Sequence, residues 1–364
     1  MFWRMPMSRI LSAIKRRPVV VRTAWWAGKV VNHRVPRLLS RALSGAEPAR
    51  TEVRPPVRDN GTVTDGGRRE LPEPTAYTGT GANPVLVAED VTDFGAVDFV
   101  ADPFLFPGSD RWHLFFEVCN TSRDPDAAIA HATSPDGLRW EYDRVVLRSD
   151  EHLSFPYVFE WEGARYMVPE EGGADGRAVR LYEATGFPGG WEPRATLVSA
   201  DHHTDDTIVF RWRDRWWLLV GDDEAAGFRI YHSDSLVADD WEPHEGNPVV
   251  TGRPTAFRPG GRPVVGSDGV VVFFQDCEGR YGEAVRAFEI TALGPETYAD
   301  EELTESPVLE GTGARVGWNS GRMHHVDPWC VDGRWLCMVD GNVSHPELFT
   351  NDHWSIGVVV ADSD

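Results

Sequence analysis

The sequence predicts an all-β chain folded as a five-bladed β-propeller with a basic, partly helical N-terminal extension. Three observations carry that prediction. A phrase of acid or aromatic, Pro, short strand, turn and aromatic strand recurs from positions 102, 155, 206, 254 and 327. The dipeptide Trp-Glu recurs at Trp140, Trp191 and Trp241, on the same beat of about 50 residues. Between these markers lies a third strand in each unit, such as Val179-Arg180-Leu181-Tyr182 and Phe228-Arg229-Ile230-Tyr231. Short strands repeating at this period are the mark of a propeller or similar array. A β-sandwich would need the spacing to be coincidence, and two independent markers in phase argue against it.

Each unit can be read strand by strand. The first contains Ala101-Asp102-Pro103-Phe104-Leu105-Phe106 and Trp112 to Glu117. The second contains Phe155-Pro156-Tyr157-Val158-Phe159 and Tyr166 to Glu170. The third contains Asp206 to Phe210 and Trp216 to Val220. A looser fourth copy runs from Pro254-Thr255-Ala256-Phe257 to Val271–Asp276. The fifth contains Asp327–Val331, Trp335–Val339 and Ile356–Val360, one strand short of four. An open sheet edge would expose unpaired backbone groups. Val85–Ala88 therefore is expected to pair with Ile356–Val360 and close the ring. The propeller is assigned to residues 81–364.

Ahead of it the chain changes character. Residues 1–50 carry eleven Lys+Arg and one acid, Glu47, so the remaining residues hold a net −31 of the chain's total of −21. Basic residues interleave with Leu11, Trp25, Trp26 and Leu39 at roughly helical spacing, broken by Pro18 and Pro36. Residues 1–45 thus read as amphipathic segments lying on an anionic membrane surface. A disordered basic tail, or a piece docked on the acidic propeller, would show the same composition. No apolar run reaches the roughly 18 residues that span a bilayer. Arg16-Arg17 is not followed by the uninterrupted apolar run of an export signal, because Arg22 breaks it. The expected location is cytoplasmic, peripheral at the inner membrane surface. Residues 46–80, rich in Pro, Gly, Thr and Glu, read as a flexible linker.

Only Lys15 and Lys29 are lysines. An acidic surface with few lysines suits concentrated salt, and a halophilic source is expected. The same charge argues against nucleic acid as a partner. The four cysteines, Cys119, Cys277, Cys330 and Cys337, contain no CxxC pair, so no metal site is expected, nor any cofactor.

In a propeller the first strand of each blade lines the central channel. Asp102, Phe155, Asp205 with Asp206, Arg253, and His324, His325 and Asp327 therefore are expected at one funnel mouth. Glu117, Glu170 with Glu171, Asp222 with Asp223, Gln275 with Asp276, and Asp340 end second strands at the same mouth. Asp102, Asp206 and Glu170 are the candidate catalytic groups. Glu117, Glu171, Asp205, Arg253, Asp276, His324, His325 and Asp327 are candidate substrate ligands. Crowded carboxylates push one another's pKa apart, giving an acid and a base from one residue type, as sugar chemistry requires. Asp before Pro also caps turns, which is the plainer role for Asp102 and Asp327. His131, His202 and His203 read as solvated or capping groups. Trp161 and Trp212, on strand-to-strand turns, are candidate sugar platforms.

The motifs Ala-Asp-Pro-Phe-Leu-Phe (101–106), Ser-Phe-Pro-Tyr-Val-Phe-Glu (154–160), Tyr-Met-Val-Pro-Glu (166–170) and Gln-Asp-Cys-Glu-Gly-Arg-Tyr-Gly (275–282) stand together over residues 95–345. In them the chain resembles the N-terminal propeller of the glucosamine inositolphosphorylceramide transferase proteins. That domain is similar in turn to five-bladed glycoside hydrolases of families 43, 32 and 68. The resemblance implies a base or nucleophile at Asp102. It places Phe155 where the hydrolases hold a second Asp, and Asp205 where they hold a Glu. It also implies a glycan or glycolipid as partner, and a separate glycosyltransferase. Three functions follow as expectations: a sugar-binding or sugar-processing propeller in glycolipid or surface-glycan synthesis, an inverting hydrolase using Asp102 with Asp206 or Glu170, and a scaffold without a sugar site.

The −31 on residues 51–364 should repel itself at low ionic strength. The melting temperature is therefore expected to rise as salt goes from millimolar to molar. A flat or falling thermal-shift curve would remove the halophile reading.

Overall fold

A computed structural model describes residues 78–79, 83–172, 177–266, 269–315, 317–331, 334–343 and 353–362. The amphipathic segment 1–45 and nearly all of the linker lie outside these residues. The architecture is an all-β propeller of five sheets.

Blade 1 is β2 (Phe99–Pro107), β3 (Trp112–Cys119), β4 (Ala127–Ser134) and β5 (Glu141–Leu147). Blade 2 is β6 (His152–Trp161), β7 (Ala164–Gly172), β8 (Ala178–Gly186) and β9 (Gly189–Ser199). Blade 3 is β10 (Asp205–Trp212), β11 (Arg215–Asp222), β12 (Gly227–Ser233) and β13 (Glu242–Pro243). All three are antiparallel meanders in chain order. Apolar and aromatic residues fill the space between blades, with Phe104, Phe115, Phe155 and Phe228 fully buried. Trp140, Trp191 and Trp241, the repeat markers, are buried core residues.

Blade 4 departs from the pattern. Its inner strand is split into β14 (Arg258–Pro259) and β15 (Val264–Val265), both pairing with β16 (Val270–Asp276). The sheet continues through β17 (Ala284–Leu293), β18 (Tyr298–Glu302) and β19 (Leu309–Glu310). The sequence copy at Pro254–Phe257 therefore ends just short of the inner strand. The run Gly260-Gly261-Arg262-Pro263 breaks the ladder, and Pro263 has no amide to give it.

That break places Arg262 at the axis. Its Nε donates to Asp327 Oδ1 (2.6 Å), and its Nη2 to the carbonyls of Leu105 (3.1 Å) and Val158 (2.9 Å). Asp327 Oδ2 accepts from the Leu105 amide (2.5 Å) and Trp329 Nε1 (3.1 Å). Phe104, Tyr157 and Trp329 surround the guanidinium, with ring centroids 4.9–5.7 Å away. One buried cation thus ties blades 1, 2 and 5 together.

Blade 5 is β20 (Val326–Val331), β21 (Arg334–Asn342) and β22 (Trp354–Asp362), completed by β1 (Thr78–Gly79) from upstream. Thr78 pairs with Val360 and Gly79 with Val359. The closure predicted at Val85–Ala88 is limited to Val85, whose amide donates to the Ile356 carbonyl (2.7 Å), and Leu86, which bridges to Ile356. Ala88–Asp90 is a 3₁₀ turn instead. Asn83 fills in as a side-chain rung, donating to the Val358 carbonyl (2.8 Å) and accepting its amide (2.9 Å). The pairing strand thus begins within the stretch expected to be linker. Closure is complete, since β2 packs against β6 on one side and β20–β22 on the other. Among the described residues no helix is long and apolar enough to cross a membrane.

Replacing Arg262 with Ala leaves Asp327 buried without its cation. Breaking a buried pair in this way costs about 3–5 kcal/mol. Urea unfolding of Arg262→Ala should show a loss of that size, and a loss below about 1 kcal/mol would contradict the axial role.

Candidate functional site

Three inner strands carry the same local distortion. Asp102, Phe155 and Asp206 all have positive φ, at 51°, 45° and 43°. At each of them the pairing register shifts, as in a β-bulge. A non-glycine residue with positive φ is costly, and such strain gathers at functional sites. Here the bulges stand at equivalent points of blades 1–3, at one mouth of the channel.

Strand register selects the groups that join them. Opposite the bulges Ala101 pairs with Glu117, Ser154 with Glu170 and Asp205 with Gly221. Arg258 pairs with Gln275, and Asp340 lies one step past the Val326–Val339 pair. Glu117, Glu170, Gln275 and Asp340 thus hold one ladder position in four blades. In blade 3 that place is Gly221, and a Cβ there would stand 2.9 Å from the Asp205 carbonyl oxygen and 3.3 Å from Arg258 Cα. Glycine is what lets the strand bearing Arg258 come in.

Arg258 is the cation of the site. Its Nε donates to Asp206 Oδ2 (2.9 Å) and its Nη2 to Glu170 Oε2 (3.2 Å), while Nη1 lies 3.6 Å from Asp205 Oδ1. The Asp206 amide donates to Glu170 Oε2 (2.8 Å), and Gln275 Nε2 to Asp206 Oδ2 (2.7 Å). On the other side, His324 Nδ1 is 2.8 Å from Asp340 Oδ2 and 4.0 Å from Asp102 Oδ1. His325 Nδ1 is 3.7 Å from the same Asp102 oxygen. Asp102 receives the Phe155 amide at 3.4 Å and gives its own amide to Asp340 at 3.3 Å. Glu117 lies 3.5 Å from His152, which also bonds Asp126.

Burial dominates the charge states. It raises Asp102 to about 7, with His324 opposing and Asp206 and Asp340 adding. It raises Asp206 to about 8 against the pull of Arg258, with Glu170 adding. Asp205 goes to about 6 for the same first reason, again opposed by Arg258. Glu117 and Glu170 are also raised by burial. In Asp340 and His324 burial is outweighed by their mutual attraction, so the acid is lowered and the imidazole raised. Burial pushes His325 down to about 3, leaving it neutral between Phe104 and Phe155.

The expected site residues therefore divide. Asp102, Asp206, Glu170, Glu117, Asp205, His324 and His325 are brought together. Glu171 and Asp276 are one residue along from Glu170 and Gln275, so the pleat turns them to the opposite face. There Glu171 meets Arg180 and Tyr182, and Asp276 meets Arg286 (2.8 Å). Asp222 repeats the arrangement with Arg229 (2.8 Å). Arg253 is held by Asp300 (2.9 and 2.8 Å) and lies over Phe228, Phe274 and Phe288, between blades 3 and 4. Asp327 belongs to the axial pair with Arg262. His131 and His202 are buried and hydrogen-bonded rather than solvated, His131 to His113 and Asp143, His202 to Tyr231. Trp212 is buried, and Trp161 packs edge-on against Trp216, 5.0 Å away, on the β6–β7 turn. Neither offers a platform at the funnel. Sequence reasoning placed Gln275 and Asp340 at this mouth without making them candidate ligands, and it passed over Arg258.

Asp102, His324 and Asp340 bring three possible ligand atoms within 4.8 Å of one another, the set among the described residues that could hold a cation. As arranged, His324 is salt-bridged to Asp340. Both Asp340 oxygens also accept backbone amides, from His324 and His325 at one and Asp102 at the other.

A family model described as glucosamine inositolphosphorylceramide transferase 1, N-terminal, matches residues 73–342. The chain belongs to this family. It is 32% identical over 271 residues to glucosamine inositolphosphorylceramide transferase 1 of Oryza sativa subsp. japonica, covering 72% of this chain and 36% of the relative. The Arabidopsis thaliana protein of the same name is 32% identical over 278 residues, 73% of this chain and 35% of the relative. The chain thus spans about a third of the length of the curated relatives it matches. Among solved structures, β-1,2-mannobiose phosphorylase from Listeria innocua has a TM-score of 0.58 at 13% identity, over 77% of this chain and 95% of that one. An exo-β-1,3-galactanase from Phanerochaete chrysosporium has 0.51 at 13%, over 79% and 64%. A thermostable family-43 glycoside hydrolase has 0.53 at 13%, over 76% and 91%. These likenesses establish the five-bladed propeller fold.

The raised acids fix how stability depends on pH. Between about pH 7.5 and 8.5 the unfolded carboxyls have long lost their protons, while folded Asp102 (about 7) is giving up the last of its own and Asp206 (about 8) titrates within the window. A group raised in the folded state contributes stability that is lost as pH climbs through its folded value. His324, also raised, adds with the same sign. His113 and His131, lowered to about 4, and His325, lowered to about 3, act with the opposite sign, but only until the unfolded imidazoles have lost their protons, by about pH 7.5. Stability should therefore fall from about pH 7.5 to 8.5, and Asp206→Asn should flatten the fall. Thermal melts across this range check it, and a rise in wild-type stability would contradict the assignment.

Proposed function

We propose that the funnel binds a sugar of a glycan or glycolipid during synthesis of a glycolipid or surface glycan, with transfer performed by a separate glycosyltransferase. The observation that carries this reading is the convergence of Asp102, Glu170, Asp206, Arg258 and Gln275 from four blades on one mouth. A concave site with a few convergent polar groups is where small ligands bind. Carboxyls and an amide side chain suit sugar hydroxyls, which both donate and accept. Binding is favoured over turnover by what surrounds the acids. Phe155 is apolar where the related hydrolases place a second acid. Asp206 and Glu170 share one guanidinium, which holds both carboxyls in place instead of leaving one free to follow a leaving oxygen.

A second reading, inverting hydrolysis or a related processing step, is favoured by one observation. Asp102 at about 7 can accept a proton near neutrality, and Asp206 at about 8 can give one.

Asp102→Asn separates the two. In the binding reading, affinity for a glycan found on an array should fall by about 1.5–3 kcal/mol, the worth of a charge-assisted hydrogen bond, with no turnover to lose. In the processing reading, turnover should fall by roughly two to four orders of magnitude while affinity holds. Turnover by the wild type that Asp102→Asn abolishes, with affinity intact, would overturn the binding reading. If Asp102 merely caps the blade entry, neither quantity should move, because Asn caps as well.

A further inference from the structure

We infer that Tyr281 is the stacking platform of the funnel, and that its ligand is an uncharged pyranose laid with one face of C–H bonds on the ring. This deepens the sugar-binding reading and rests on it.

Tyr281 is the large hydrophobic side chain exposed among the described residues, at 43%. Single exposed aromatics are ordinary on protein surfaces. This one is built into place. It sits in the turn between β16 and β17, whose ends are fixed by the Cys277 amide on the Pro254 carbonyl (2.9 Å) and the Glu283 amide on the Asp276 carbonyl (2.7 Å). Its own carbonyl accepts from Arg322 Nη1 (2.7 Å). The ring stands edge-on to His324, centroids 5.4 Å apart at 84°. His324 in turn lies flat on Trp354, 4.0 Å away at 18°, and Arg322 covers Trp354 at 5.1 Å. Gly282, next in the chain, has φ +65°, and a Cβ there would fall 2.6 Å from His324 Cδ2. Any other residue would lift the turn away from the funnel. A fixed stack of Trp354, His324 and Tyr281 therefore carries the ring.

What the ring overlooks gives the ligand. The Arg258 guanidinium is 5.4 Å from its centroid, and Arg258 holds Glu170 and Asp206. Burial of the phenol, with Asp206, Asp102 and Glu170 adding and Arg258 opposing, keeps it neutral. A part-exposed aromatic ring at the edge of a group of carboxyls matches a pyranose, which has an apolar C–H face and an equatorial rim of hydroxyls. Aromatic rings are suited to such half-apolar, half-wet contacts. A uronate or phosphate sugar would bring a further negative charge to a mouth where burial already pushes Asp102, Glu170 and Asp206 toward their neutral forms, so the same desolvation selects against anions.

The test uses the full chain and a panel of methyl glycopyranosides: glucose, galactose and mannose in both anomers, plus methyl glucuronide. Saturation-transfer NMR gives the contact face, and titration gives the affinity. The wild type should bind at least one neutral probe, with saturation concentrated on the C–H protons of one face, and should bind the glucuronide more weakly. Tyr281→Phe should bind within roughly twofold of wild type. Tyr281→Ala and Tyr281→Leu should each lose roughly tenfold, the upper range for a stacked aromatic contact. Thermal melts of all three separate any loss of packing against His324 from a loss of binding, and Tyr281→Phe, which keeps the ring, should melt like wild type. If Asp102→Asn weakens binding and Tyr281→Ala does not, the platform is overturned while the funnel reading stands. If the wild type binds no probe, the funnel reading falls and takes the platform with it. A Tyr281→Phe loss as large as that of Tyr281→Ala would assign the contact to the hydroxyl and overturn stacking. Glucuronide binding tighter than any neutral probe would overturn the ligand class.

Discussion

Five inner strands converge on an axis where water is excluded and polar groups must still be satisfied. Arg262 meets that constraint. Its guanidinium offers five donors in a fixed fork, and the ion pair with Asp327 cancels its charge. The other bonds go to carbonyls of blades 1 and 2. A lysine could match the charge but not the fork. The split inner strand of blade 4 is the local consequence, because a continuous ladder would keep residue 262 from the axis. With that end of the channel filled, the bulges at Asp102, Phe155 and Asp206 lie at the mouth that remains.

At that mouth, more acids gather than cations. Arg258 serves Glu170, Asp206 and Asp205, and His324 stands between Asp102 and Asp340. Burial makes several ionised carboxylates in one place expensive, so the surplus is held as neutral acid. Neutral carboxyls donate as well as accept, which widens the hydrogen bonds a hydroxylated ligand can find. The cost is stability at alkaline pH. Sites are commonly less stable than their scaffold, and here the source is the desolvation of named side chains.

The blades were legible because each repeats a core: Trp140, Trp191 and Trp241 pack alike, and packing recurs wherever blades recur. Asp102 and Asp206 were legible because the bulge sits at a fixed point of the repeat. Glu170 and Glu171 could not be told apart without register, since one step along a strand reverses the face. The same step separates Gln275 from Asp276. Arg258 was hidden by the break in blade 4, which moved the inner strand past Arg253, the arginine that the period selects. Tyr281 lies in a turn, where no periodicity operates, and only the glycine after it hints at close packing. The closing strand was placed on the right partner but too far along, because Asn83 replaces backbone pairing with its side chain.

The closing strand also has a mechanical consequence. Thr78 and Val360 are neighbours on the outer rim of blade 5, and adjacent strands run roughly 4.8 Å apart. The polypeptide enters and leaves the ring at one point, like a loop of rope tied off at a single cleat. Whatever is joined before Thr78 or after Asp362 pulls on the same blade. The other four blades stay outside the path of that force. A load on either end would be taken up first by the short pairing of β1 with β22, leaving the arrangement around Asp102 and Arg258 undisturbed until that seam gives way.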